Sequence, residues 1–318
     1  MVASINFKPI ITSNIPKLSK GIKIGGGVIG AVGIIGLAAY YVLKDAGWDH
    51  LDKDDNKESM KNLINRHMGD NKLQSALAPS LLNTEGIRTT IYNDKKPKIN
   101  YKISELLKME GNYTVGVGHM LSSQKGDLQE VLAHDLREAQ KITGLNNVSV
   151  EIIDGELTPE QMSMLLKADL IRHEKTAKGW VENDLDKFDE KSKVKWDELP
   201  LAKKVALVSL SFNTKQSSVK YNNGKPTNFL KHVRAGNWAE AQKEMDFWRG
   251  YPINTIAKRY LEMRLINDDK LDDDIKDILF QAVNKSGHHF KSKEEAIAFL
   301  EEKCAEDIAH FKNIGLLK

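Results

Sequence analysis

The chain has 318 residues, 41% of them hydrophobic, with 47 Lys and Arg against 44 Asp and Glu and a single cysteine. That length and apolar content supply a core for one large domain or two. A net charge of +3, with no strands of interleaved basic and aromatic residues, gives no ground for a nucleic-acid partner, and the lone Cys304 excludes an internal disulfide framework.

From the N-terminus, residues 1–23 are basic, with Lys8, Lys17, Lys20 and Lys23 ahead of an uncharged apolar stretch, 24–43. As a helix that stretch covers about 30 Å, the thickness of a bilayer core. Lys44 and an acidic run from Asp45 to Asp55 follow, so the positive-inside rule keeps residues 1–23 cytoplasmic and puts the rest outside. Glycine at 25, 26, 27, 30, 33 and 36 makes the span only weakly hydrophobic. Three readings of it stand open: a single-span anchor, a span that leaves the bilayer reversibly, and a glycine-rich hairpin buried in an assembly.

Residues 44–79 read as an exposed linker and a helix from Met60 to Ala78, interrupted by Pro79. Ser80 then caps a short helix, Leu81 to Glu85, with Gly86 as its stop. Thr89 to Tyr92 is β-branched and aromatic, and pairs as a hairpin with Tyr113 to Val117 across a lysine-rich insertion, Lys95 to Glu110, that holds a short helix from Ser104 to Met109. Helices are expected over Asp127 to Ile142 and from Thr158-Pro159-Glu160-Gln161 to about Trp180, the latter opened by a cap, a first-position proline and a capping-box glutamine. The mixed charges of 182–198 read as a solvated connection between lobes. Pro200 to Phe212 is apolar enough to be the central core helix, and Asn228 to Arg234 and Trp238 to Trp248 continue the helical lobe. The tail, 266–318, adds two helices, the second starting at a Ser292–Glu295 capping box and carrying Ile297, Leu300, Cys304, Ile308 and Phe311 along one stripe.

The chemistry concentrates around the hairpin. Glu85 ends a helix beside a glycine, Asp94 ends the first strand, and the returning strand, Gly111-Asn112-Tyr113-Thr114-Val115-Gly116-Val117-Gly118-His119, brings Thr114 back towards the same edge. Two carboxylates in different environments are what breaking a glycosidic bond requires, one protonated to donate to the leaving oxygen and one ionised to act on water or sugar. The Thr114 hydroxyl is suited to holding that water. His119 reads as one half of a structural ion pair, with Asp169 on the next long helix as its partner. His288 and His289 lack companions at metal spacing and read as solvated, and Cys304 reads as core.

At these residues the sequence resembles the phage-type lysozymes, the muramidases of glycoside hydrolase family 24. Glu85 and Asp94, with eight residues between them, keep the family spacing, and Tyr113, Thr114, Gly116, Gly118 and His119 match its Tyr-Thr-x-Gly-x-Gly-His hairpin. Leu157-Thr158-Pro159-Glu160-Gln161, Leu210-Ser211-Phe212-Asn213, Trp238 and Ala257-Lys258-Arg259-Tyr260-Leu261-Glu262 add to the likeness, which spans residues 80–265. One departure is the insertion after Asp94, since the family gap from Asp to Thr is short. Three outcomes stand open for it: a longer loop that leaves both strands in register at little cost per added residue, one that covers the cleft, and one that moves Asp94.

The resemblance implies an α+β, phage-lysozyme-like fold with a small β-hairpin lobe and a mostly helical lobe, here preceded by a transmembrane helix and followed by a helical C-terminal extension at 266–318. It implies hydrolysis of the β-1,4 bond between N-acetylmuramic acid and N-acetylglucosamine in peptidoglycan. Glu85 would be the general acid, Asp94 the base or electrostatic partner, Thr114 the holder of the water and Asn213 a substrate-contacting amide, with no metal or organic cofactor.

Two biological versions follow: a signal-anchor endolysin at the host inner membrane with its catalytic domain on the periplasmic side, or a virion-associated lysozyme that meets a bacterial or viral membrane and other virion proteins. The competing class is a non-catalytic lysozyme-like structural or wall-binding virion protein. A lytic transglycosylase needs only the acid, so Asp94 and Thr114 favour hydrolysis.

Overall fold

The computed structural model describes residues 54–93, 111–153, 155–182, 192–213, 221–222, 225–245 and 252–318. The stretch 24–43, the residues 104–109 expected to form a short helix, and Asp94 lie outside these. Among the described residues no helix is long and apolar enough to cross a membrane. Helices dominate, with one small antiparallel sheet, so the class is α+β.

Helix α1 (Asp54–Met68) and helix α2 (Lys72–Glu85) are separate. The break falls at Gly69 rather than at Pro79: Gly69 takes φ +60°, and the Asn71 side chain accepts from the N–H groups of Leu73 and Gln74, both at 3.1 Å. A left-handed glycine followed by an Asn cap ends one helix and starts the next. Pro79 sits inside α2, where it removes one backbone bond, but Leu77, Ala78, Leu81 and Leu82 around it are buried and that burial carries the helix through. Ser80 is accordingly interior to the helix rather than a cap. Gly86, at φ +71°, donates its N–H to Leu82 O and turns the chain into strand β1 (Arg88–Asn93).

β1 pairs with β2 (Tyr113–Gly116) in the register Tyr92 opposite Thr114 and Asn93 opposite Tyr113, with an irregularity towards Arg88. A third strand, β3 (His119–Met120), is absent from the sequence expectation; it pairs Val115 with His119 around a turn at Val117–Gly118. On the other edge Leu157 N–H donates to Thr89 O, tying the start of the next long helix to the sheet.

Helix α3 (Leu128–Thr143) is capped by Asp127 and ends at Gly144. Helix α4 (Pro159–Glu182) begins at the expected reciprocal cap, Thr158 N–H to Gln161 Oε1 at 2.8 Å and Gln161 N–H to Thr158 Oγ1 at 3.2 Å. Its 24 residues span about 36 Å. The connection that follows is not wholly solvated: Trp196, in a short 3-10 turn, is buried and donates its backbone N–H to Glu182 Oε1.

Helix α5 (Leu201–Asn213) is the central element, packed against α2, α4 and α8 (Ile253–Ile266), with Val205 to Val208 and Leu210 fully enclosed. After α5 come a two-stranded ribbon, β4 (Tyr221–Asn222) and β5 (Lys225–Pro226), and helices α6 (Asn228–Ala235) and α7 (Trp238–Lys243), the latter shorter than expected. α8 buries charge as well as apolar surface: Arg259 pairs with Glu262, which also accepts from Ser209 Oγ on α5.

The tail holds three helices rather than two, α9 (Asp273–Lys285), α10 (Lys293–Lys303) and α11 (Ala305–Asn313). The Ser292 cap is present, with Glu295 N–H on Ser292 Oγ at 3.2 Å, but the chain breaks at Cys304 so that Leu300, Cys304 and Phe311 all reach the core. Of the histidine doublet, His289 is exposed as expected, while His288 is half-buried with its ring 4.9 Å from Phe299. Buried side chains of α1 and of α9 to α11 join one continuous apolar cluster with everything between them.

Candidate active site

Glu85 is the last residue of α2, at the corner where the helical body meets the sheet. Its carboxyl is fixed from two sides. Lys258 on α8, itself buried, donates from Nζ to Glu85 Oε1 at 2.9 Å. On the other side lies the backbone of the β2–β3 turn: a Cβ placed on Gly118 would stand 3.3 Å from Glu85 Cγ and 3.4 Å from Oε2. Gly118 also has φ +70°, which favours glycine, and a side chain there would press on Glu85. Hydrogen bonds to charged groups are short and directional, and this one sets which carboxyl oxygen faces the hairpin.

Thr114 is buried in β2, between Tyr92 and Met120 on the neighbouring strands. Asn93, the last described residue of β1, stands opposite Tyr113, and Asp94 follows it outside the described residues. Asn213 closes α5. Two residues back, Ser211 Oγ meets His173 Nδ1 at 2.9 Å, and the His173 ring stacks on Phe212 at 4.0 Å. Burial, then the charges of Lys258 and Arg172, hold His173 below the usual histidine range against the pull of Asp169, so the ring is neutral at pH 7.

His119 forms a second cluster immediately beyond Gly118. Its Nδ1 lies 2.7 Å from Asp169 Oδ2 on α4, the partner named from sequence, and its Nε2 lies 3.4 Å from Asp135 Oδ2 on α3. Arg172 supports Asp169 at 3.0 Å, and Ser122 N–H supports Asp135 at 2.9 Å. Burial alone would lower the His119 pKa, but the two carboxylates outweigh it and raise it to about 9. Burial would likewise raise both carboxyls, and His119 overrides it to hold Asp169 and Asp135 below the ordinary range. His119 is thus a cation at neutral pH that ties β3 to two helices.

Two contacts of this region escaped the sequence reading. Lys258 was quoted only within a run of matching residues, because nothing local says which lysine crosses to Glu85, 173 positions away. Asp135 gave no signal beyond its place on the inner face of an amphipathic helix. Cys304 behaves as the core residue expected: burial, then Asp307, pushes its thiol up to about 12. Among the described residues no group of three or more His, Cys, Asp or Glu side chains could hold a metal ion. No protein-family model, curated protein or solved structure matches the chain.

Proposed function

We propose that this chain is a peptidoglycan hydrolase of the phage-lysozyme kind, cleaving the β-1,4 bond between N-acetylmuramic acid and N-acetylglucosamine. The observation that carries the reading is the position of Glu85. It ends a helix at the junction of sheet and helical body, pinned through one oxygen by Lys258 and lying with the other against the glycine turn of the Thr114 hairpin. A carboxyl held this way presents one oxygen in a fixed direction, as a general acid must.

In the proposed reaction Glu85 donates its proton from Oε2 to the glycosidic oxygen as the bond to the anomeric carbon breaks. Asp94 takes a proton from a water on the opposite face of the sugar, and the Thr114 hydroxyl holds that water. The water oxygen bonds to the anomeric carbon with inversion. Asn213, at the end of α5, contributes an amide to sugar binding. Lys258 orients Glu85 without entering the proton inventory. In this reading residues 24–43 anchor the protein to a membrane, as an endolysin or as part of a virion.

The test is release of reducing ends from purified peptidoglycan by the full chain, beside Glu85→Gln. Release that vanishes in the variant, with products of inverted configuration and no anhydro-sugar, supports the hydrolase. A folded parent that releases nothing would sink it and leave a lysozyme-like wall-binding or structural protein.

A further inference from the structure

The C-terminal helices touch the residues on either side of the Glu85–Lys258 pair. Asp307, buried on α11, accepts from Asn83 Nδ2 at 2.6 Å, and Asn83 lies two residues before Glu85 in the last turn of α2. That turn is where a helix has unpaired carbonyls and frays most easily. The Cys304 thiol donates to Ala257 O at 3.3 Å, directly before Lys258. His310, one turn beyond Asp307, donates from Nε2 to Ala76 O at 2.8 Å and lays α11 along α2. One segment of seven residues, 304–310, therefore grips both the helix that carries the acid and the helix that carries its partner.

Beside these bonds the seam opens into a polar pocket of about 350 Å³ whose walls include Asn83, Thr84, Lys258, Cys304 and Asp307. Along the walls of such a pocket close packing is missing locally, and the Asn83–Asp307 bond bears on where the last turn of α2 sits.

We propose that α10 and α11 are a brace that sets the position of the Glu85 carboxyl, with Asp307 and Asn83 as positioning residues. This rests on reading Glu85 as the acid. Losing the bond leaves the continuous core intact but lets the last turn of α2 shift. A displacement of about 1 Å at a reacting group is enough to slow chemistry by up to about a hundredfold.

The test compares full-length parent, Asn83→Ala, Asp307→Ala and Asp307→Asn on soluble glycan strands. Asn83→Ala and Asp307→Ala are expected to lose about tenfold or more in kcat with KM within about twofold, while Asp307→Asn, whose Oδ1 still accepts from Asn83, stays close to the parent. Equal kcat in all four, or equal loss in all three variants, overturns the brace. If Asp307→Ala does not fold, Asn83→Ala removes the same bond from an alanine-tolerant helix position and decides the matter. An inactive parent would be the failure of the hydrolase reading instead. The brace is then judged from the Glu85 carboxyl ¹³C resonance at fixed pH, assigned by its disappearance in Glu85→Gln. A resonance that moves in both alanine variants and not in Asp307→Asn supports the brace, and one that moves in neither overturns it.

Discussion

Replacing His119 by Asn isolates the ion-pair cluster behind the hairpin. In the folded chain His119 titrates at about 9, against 6.5 in the unfolded chain, because Asp169 and Asp135 outweigh the cost of burying it. That gap corresponds to about 3 kcal/mol of charge-linked stability. Its sign follows from the direction: a raised pKa stabilises fully below about 6.5 and loses its effect as pH rises through 9. The two carboxyls run the other way, since their pKa values are depressed; their contribution is present above about 4 and disappears as the pH falls below it. The advantage of the parent over His119→Asn should therefore be greatest near pH 5–6.5, about 3 kcal/mol, and shrink steadily between pH 7 and 10. Urea unfolding at half-unit pH steps measures it, with the slopes of the two proteins compared to confirm that the unfolded states match. Asp169 keeps Arg172 and Asp135 keeps the Ser122 N–H in the variant, so the loss is not inflated by two orphaned carboxylates. Parallel stability curves for parent and variant from pH 5 to 10 would refute the reasoning, because only a histidine with the same pKa folded and unfolded leaves the two curves parallel.

The remaining predictions concern the site, with turnover read on the proposed hydrolase activity, and the helix that supports it. Gly118→Ala should destabilise by about 1 kcal/mol through its positive φ and, by pressing on Glu85 Cγ, lower kcat far more than it raises KM, read from steady-state release of reducing ends. Lys258→Met, similar in length but without the ammonium, should leave the fold intact by circular dichroism and cut turnover by about tenfold or more, since Glu85 Oε1 loses the donor that orients it. Glu262→Ala should be the most damaging to stability, about 3–5 kcal/mol in denaturant unfolding, because it leaves Arg259 buried without its carboxylate and removes the acceptor of Ser209.

What the sequence revealed and what it hid divide along one physical line. Local signals survived folding: the Thr158–Gln161 cap opens α4, Asp127 opens α3, and the Gly86 stop turns α2 into β1 as expected. These features depend on groups within three or four residues of one another, so neighbouring sequence determines them. Pro79 misled for the complementary reason. The local rule says that proline ends a helix, but α2 is buried on the side where Leu77, Ala78, Leu81 and Leu82 meet the core, and packing overrode the missing bond. The tail stripe from Ile297 to Phe311 misled in the same way. Its spacing fits one helix, while a break at Cys304 lets α10 and α11 each turn their apolar residues inward. Lys258, Asp135 and Asp307 were invisible as partners because each acts across tertiary space.

The two ion-pair clusters are not independent features of the fold, because adjacent residues link them. His119 is held by α3 and α4, and Gly118 immediately before it forms the wall against which Glu85 lies. A turn at the end of a two-residue strand has little hydrogen bonding of its own to locate it. Its position relative to Glu85 is therefore set by where Asp135 and Asp169 hold His119, just as the opposite side of Glu85 is set by Lys258. An exposed hairpin would hold the same sequence motif without holding it still. The buried charge behind the hairpin ties the small sheet to two helices and so fixes how far the turn at Gly118 stands from the carboxyl of Glu85.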